Sequence, residues 1–159
     1  MSDTTTDSAT SSTPELQEVT HTRVYAAPRE LVFDCMTTPE HLTHFWGPVG
    51  VSTPVENITV DLRPGGAFTT DMVNDATGEV YPTRGVYVEV VAPERLVWQE
   101  AGSDTDHPIT TSITFTDLGD GRTEVVSHQT NLPPYYVSEE AQSGMLSSFD
   151  KFAAYVEAL

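Results

Sequence analysis

The fold is decided by residues 138–159, whose sequence is SEEAQSGMLSSFDKFAAYVEAL. Apolar side chains recur in this stretch at spacings of three and four, which places them on one face of a helix. The residues on that face are Met145, Phe149, Phe152, Val156 and Leu159. Ser138 suits the N-cap position, where its hydroxyl accepts a hydrogen bond from a backbone N–H of the first turn. A helix with one apolar face needs a concave sheet to cover that face.

The residues before this helix have the pattern of a β-meander. A first strand is predicted from Val19 to Tyr25, and two short helices follow, one carrying Leu31 to Met36 and one carrying His41 to Trp46. Turn sequences then separate six predicted strands. These strands are Val55 to Leu62, Ala67 to Asn74, Val80 to Val91, Arg95 to Ala101, Ile109 to Asp117 and Thr123 to Thr130. The predicted order is βααββββββα, an α+β fold.

The length and composition favour one domain preceded by a tail. The chain has 159 residues, of which 38% are hydrophobic, enough for one sizeable core. Residues 1–17 are rich in Ser, Thr and Asp, so we expect a disordered tail there. Residues 18–159 form the predicted domain. No apolar window reaches the ~20 residues of a membrane span, and the N-terminus lacks a secretory signal, which favours a cytoplasmic location.

The strong acidity limits the classes of partner. Lys and Arg total 7 against 24 Asp and Glu, a formal charge of -17. Binding of phosphate groups through counterion release needs clustered positive charge, so nucleic acid and anionic membranes are not expected partners. The acidity fits either adaptation to salt or a solvated surface that keeps the protein soluble.

Several motifs together resemble a known family. They are Thr37-Thr38-Pro39-Glu40-His41-Leu42, Phe45-Trp46-Gly47-Pro48, Asp61-Leu62-Arg63-Pro64-Gly65-Gly66, Gly85-Val86-Tyr87-Val88-Glu89-Val90, Ala92-Pro93-Glu94-Arg95-Leu96-Val97-Trp98, Ser143-Gly144-Met145 and Phe149-Asp150-Lys151-Phe152. In this order they resemble the START-like, Bet v 1-like domain related to the activator of the heat-shock protein ATPase. The resemblance implies a helix-grip fold, in which a seven-stranded antiparallel sheet curls around the C-terminal helix. Relatives include hydrophobe carriers, aromatic polyketide cyclases and co-chaperone domains, so the fold alone does not assign a function.

In such a fold, side chains of one parity along each strand face the helix and enclose a cavity. The inward set is predicted to be Phe68, Met72, Val86, Val88, Val90, Leu96, Trp98, Ile113, Phe115 and Val125, met by Met145 and Phe149 from the helix. Most of these residues are expected simply to fill the core. The candidate ligand-binding residues are Trp46, Phe68, Met72, Val86, Trp98, Phe115, Gln129, Met145 and Phe149. The family often has Trp at the position of Met145. The smaller, flexible methionine would leave the pocket wider.

Catalytic and metal motifs are weaker. His41 and His44 lie three residues apart on a short helix, with Cys35 nearby, but no zinc motif supports a metal site. No metal and no cofactor is therefore expected, and Cys35 is expected to be a buried, inert thiol. Glu100 follows Leu96 and Trp98 at a spacing of two, so an inward carboxylate able to move protons is a further candidate.

Three functions remain open from the sequence. The leading hypothesis is binding of a small hydrophobic or aromatic molecule in the cavity. The second is a cyclase or hydrolase that uses acid-base residues of the cavity. The third is a co-chaperone-like interaction module. The activator of the heat-shock protein ATPase carries a further domain, and the short predicted tail before the fold argues against this third hypothesis. A homodimer is also expected to be possible.

Overall fold

The protein is described by a computed structural model that covers residues 16–104 and 106–159. Within these residues the strands are β1 Gln17–Tyr25, β2 Val51–Ser52, β3 Ile58–Val60, β4 Ala67–Asn74, β5 Val80–Val91, β6 Arg95–Asp104, β7 His107–Gly119 and β8 Arg122–Leu132. The α-helices are α1 Arg29–Thr37, α2 Pro39–Leu42 and α3 Glu139–Val156. The predicted tail falls almost wholly on residues 1–15, outside the described part. Its last residue, Gln17, already belongs to β1.

The strands form one antiparallel sheet in the order β1-β8-β7-β6-β5-β4-β2, and β3 also pairs with β4. The described sheet thus has eight strands where seven were predicted. The predicted strand from Val55 to Leu62 begins instead as a 3-10 turn over Val55–Asn57 and continues as β3. Pro54 precedes this turn, and proline cannot donate a ladder hydrogen bond. The two-residue β2 is too short to produce an alternating pattern.

Helix α3 lies against the concave face of the sheet, as its apolar face predicts. Phe152 and Val156 are each only 1% exposed, and burial of such side chains stabilises a fold by about 1.5–3 kcal/mol each. The Phe152 ring packs edge-on against Tyr25 of β1, with 4.8 Å between ring centroids. The N-cap is as predicted, because Ala141 N donates to Ser138 Oγ at 3.2 Å. Leu159 was wrongly placed on the buried face: it lies beyond the helix end and is 60% exposed.

A β-bulge in β5 reverses part of the predicted inward set. Tyr87 pairs with Trp98 and Glu89 with Val97, so the strand carries one extra residue between Tyr87 and Glu89. Val90 still packs against the core, but before the bulge the inward residue is Tyr87, which is buried. Val86 and Val88 therefore face outward, each 49% exposed. The prediction assumed strict alternation along β5, and the bulge breaks that alternation, so Val86 and Val88 were assigned to the wrong face.

Helices α1 and α2 cover one end of the core. Val32, Cys35 and Leu42 are fully buried there, and Phe33 packs on Phe115 of β7 at 5.2 Å between ring centroids. The second helix was predicted to carry His41 to Trp46, but it ends at Leu42. Phe45 and Trp46 lie in the turns that follow it. None of the helices in the described residues has the length and hydrophobicity needed to cross a membrane.

Candidate functional site

A cavity of about 110 Å³ lies between the sheet and α3. Apolar and aromatic side chains supply most of its wall. The lining residues are His21, Arg23, Tyr25, Met36, Phe45, Trp46, Trp98, Thr111, Ile113, Val125, Ser127, Gln129, Met145, Ser148, Phe149 and Phe152. The chain has two tryptophans, and both line this cavity.

The structure brings five of the nine predicted ligand-binding residues together in the cavity wall. They are Trp46, Trp98, Gln129, Met145 and Phe149. Phe68 and Phe115 are fully buried in the core beyond the wall. Met72 lies outside the wall next to Gly47, since its sulfur is 3.3 Å from where a Cβ on that glycine would be. Val86 is on the opposite face of the sheet, for the reason given above.

Trp98 is held in the wall by ring contacts and by a hydrogen bond. Its indole packs edge-on against Phe68 at 5.0 Å and against Tyr87 at 6.4 Å between centroids. The indole Nε1–H donates to Glu100 Oε2 at 3.1 Å. Burial raises the pKa of Glu100, and the indole hydrogen bond opposes that shift only in part. Glu100 thus holds Trp98 in place and is a carboxyl group that retains its proton more readily than usual.

The polar part of the wall comes mainly from β1 and β8. His21 and Arg23 point inward from β1, and His21 Nε2 lies 2.9 Å from Gln142 Oε1 of α3. Arg23 forms a 2.7 Å ion pair with Asp150 of α3. Neither residue was among the predicted site residues. The signal was present, because both share the parity of the buried Tyr25 along β1.

A loop that follows α2 closes against α3 beside the cavity. Ser148 Oγ donates to Phe45 O at 3.1 Å, and Lys151 Nζ donates to Gly47 O at 3.0 Å and to Val51 O at 3.5 Å. Desolvation of the ammonium group lowers the pKa of Lys151. These bonds fix the loop that carries Trp46 against the helix that carries Met145.

The residues considered as metal ligands have other contacts. His41 Nδ1 lies 2.6 Å from the Tyr155 hydroxyl, and His44 stacks on the same ring at 4.8 Å between centroids. Cys35 is fully buried, and burial raises the pKa of its thiol to about 11. Among residues 16–104 and 106–159, no three His, Cys, Asp or Glu side chains are grouped as a metal ion would require.

Comparison with known proteins agrees with this architecture. A crystal structure of a protein from Chromobacterium violaceum is 27% identical, with a TM-score of 0.78 over 89% of this chain and 98% of that chain. A crystal structure from Nitrosomonas europaea is 25% identical, with a TM-score of 0.76 over 89% and 94% of the two chains. The solution structure of an AHSA1-like protein from Aeromonas hydrophila is 21% identical and shares the fold, with a TM-score of 0.74 over 89% and 93%.

None of the curated proteins matches this chain in sequence. The family model described as "Activator of Hsp90 ATPase homolog 1-like protein" matches residues 26–157. This match covers most of the chain, and its helix-grip fold is the one described above. The chain belongs to the family of activator of Hsp90 ATPase homolog 1-like proteins.

Proposed function

We propose that the protein binds a small, mostly apolar molecule in the cavity between the sheet and α3. The observation that carries this proposal is the cavity itself, an aromatic-lined void bounded by residues of the hydrophobic core. Interiors of proteins pack to the density of organic crystals, so a void of this size is uncommon in a core that serves only stability.

The volume limits the size of the ligand. Sites for drug-sized molecules measure roughly 300–1,000 Å³, whereas a dry apolar cavity of about 150 Å³ accommodates benzene. At about 110 Å³, this cavity suits a molecule of about one ring. A larger ligand would require Met145 and Phe149 to move, and both are only half-buried on α3. Methionine adapts readily because its chain is unbranched and flexible.

Tryptophan fluorescence tests the proposal directly, because both tryptophans of the chain line the cavity. Titration with toluene and phenol should give a saturable change in emission, and Phe149→Ala should alter the affinity. Val88→Ala, on the outer face of the sheet, is the matched control and should bind as the wild type does. Absence of a saturable change with every one-ring probe, confirmed by calorimetry, would refute the proposal.

Acid-base catalysis beside the same cavity is the second candidate, since Glu100 does not line the cavity itself but contacts Trp98, which does. It is favoured by Glu100, whose pKa is raised by burial and whose carboxylate accepts a hydrogen bond from a side chain of the cavity wall. Glu100→Gln preserves the shape and the hydrogen-bond acceptor but cannot transfer a proton. Turnover of a bound compound that is lost in this variant, while its binding persists, would establish the enzyme. Equal turnover in both proteins would exclude Glu100 as the acid or base.

A further inference from the structure

Two buried polar atoms of the cavity wall lack a hydrogen-bond partner among the described residues. They are His21 Nδ1 and Gln129 Oε1. Among the other described residues, Arg29 and Thr70 each have an unpaired buried atom, and neither residue lines the cavity. Buried polar groups are nearly always paired in folded proteins, so two exceptions in one small cavity call for an explanation.

The hydrogen bonds around His21 determine what its free nitrogen can do. Gln142 Nε2 donates to the Tyr136 carbonyl at 2.8 Å. A carbonyl can only accept, so the Gln142 amide is oriented with its Oε1 toward His21. Because Oε1 also can only accept, the nitrogen 2.9 Å away, His21 Nε2, carries the proton. In the neutral imidazole, His21 Nδ1 is therefore a lone-pair acceptor.

Gln129 provides a second acceptor close to the first. Its Nε2 donates to Thr111 Oγ1 at 3.2 Å, which leaves Oε1 unpaired. His21 pairs with Ser127 across the β1–β8 ladder, two residues from Gln129 on the same face. Such diagonal neighbours lie about 7–8 Å apart, within reach of one small ligand. The Phe149 ring packs edge-on against the His21 ring, with 5.3 Å between centroids, so an apolar group borders the first acceptor.

On the basis of the function proposed above, we propose that the ligand is a one-ring molecule bearing a neutral hydrogen-bond donor, a hydroxyl or an amine. The ring occupies the aromatic part of the cavity, and the donor satisfies His21 Nδ1 or Gln129 Oε1. A hydroxyl has one proton and satisfies one of them, whereas an amine with two N–H bonds has a proton for each. The acidity of the chain agrees with this choice, since a formal charge of -17 disfavours anionic ligands such as carboxylates.

Phenol and toluene form a matched pair of probes, because they differ only by a hydroxyl in place of a methyl group. Desolvation alone favours the more apolar toluene. We expect phenol to bind the wild-type protein roughly 5- to 150-fold more tightly, the ratio expected when a buried acceptor gains its partner. Benzaldehyde, which accepts but does not donate, should bind no more tightly than toluene. Calorimetry or tryptophan fluorescence gives these affinities.

Two variants identify which acceptor causes the preference for phenol over toluene. His21→Phe and Gln129→Met each replace an acceptor with an apolar side chain of similar size, and the preference for phenol should fall at least fivefold in one or both. His128→Phe removes a histidine on the outer face of the same sheet, where it faces Glu18, and should leave the preference unchanged. A preference that survives in both cavity variants would overturn the assignment.

The possible failures are distinguishable. If toluene or benzaldehyde binds as tightly as phenol, the inference about the donor is wrong and the proposed binding function stands. If none of the three binds, the binding function itself is wrong. Nitrogen-15 NMR of His21 in the free protein provides an independent check of the tautomer: a proton on Nε2 is expected, and a ring that carries its single proton on Nδ1 would overturn the acceptor argument.

Discussion

Filling the cavity should stabilise the protein and abolish ligand binding, and Ser127→Ile is the variant designed to fill it. Ser127 lines the cavity from β8, opposite Ile113 of β7. At about 24 cal/mol per Å³, a void of about 110 Å³ costs about 2.6 kcal/mol of stability. Isoleucine adds three carbon atoms in place of one oxygen, worth about 2.4 kcal/mol at 0.8 kcal/mol for each buried carbon. Isoleucine also has a high preference for strands.

Because the isoleucine will not pack perfectly, the stabilisation should be smaller than this value. We expect an increase of about 1–2 kcal/mol in the free energy of unfolding, or about 3–6 °C in melting temperature. Denaturant unfolding of the free protein measures it. Ligand affinity should fall at least tenfold in the same variant. The control is Ser112→Ile, which makes the same chemical change on the outer face of the sheet. Ser112 lies between Thr111 and Ile113, both of which face inward. A Ser127→Ile protein that is destabilised, or that still binds as the wild type does, would refute the cavity argument.

Three further changes test other parts of the structure. Gly66→Ala should cost about 3 kcal/mol or more in urea unfolding, because its Cβ would overlap the Asp61 carbonyl oxygen. Gly65→Ala, with a φ of +85° and open space, should cost only about 1–2 kcal/mol. Equal costs would contradict this geometry. Lys151→Met should cost about 1–3 kcal/mol in the same assay, since two carbonyl groups lose their donor; a neutral outcome would show that the loop does not depend on it. For Glu100 the folded pKa is raised above its ordinary value of 4.5, so the wild type loses stability as the pH rises through that value toward the folded pKa. Glu100→Gln should therefore become more stable relative to the wild type as the pH rises above 4.5, and a gap that is constant with pH would contradict the raised pKa.

Much of the fold follows from local patterns that the sequence displays directly. Ser138 and the spacing of Phe152 and Val156 predict α3, because a cap and a helical period are both local signals. Strands β4 and β5 have the predicted bounds, since turn residues mark both their ends. The register of β5 could not be predicted in the same way. The bulge after Tyr87 is a feature of the pairing between β5 and β6, and no residue type in the strand itself marks its position.

The candidate site was predictable only in part, because membership of a cavity wall depends on where elements meet. Trp98 and Gln129 lie at the predicted parity on their strands, and Met145 and Phe149 lie on the predicted helix face. Their assembly around one void could not be derived from spacing. His21 shares the parity of the buried Tyr25, but it was missed because a polar residue at such a position resembles a surface residue of an edge strand. Its contacts with α3 show that it is enclosed.

The void and the unpaired acceptors lead to the same conclusion by different physical routes. An empty apolar cavity loses dispersion contacts, and a buried acceptor without a donor loses its hydration without compensation. A core that served stability alone could remove both costs with a larger apolar side chain at Ser127 and an apolar residue at Gln129. The chain instead places His21 in that wall and holds it through Gln142 with its acceptor nitrogen free. One ligand that supplies a ring and a donor offsets both costs at once, which is why the phenol and toluene comparison and the Ser127→Ile variant test a single physical account.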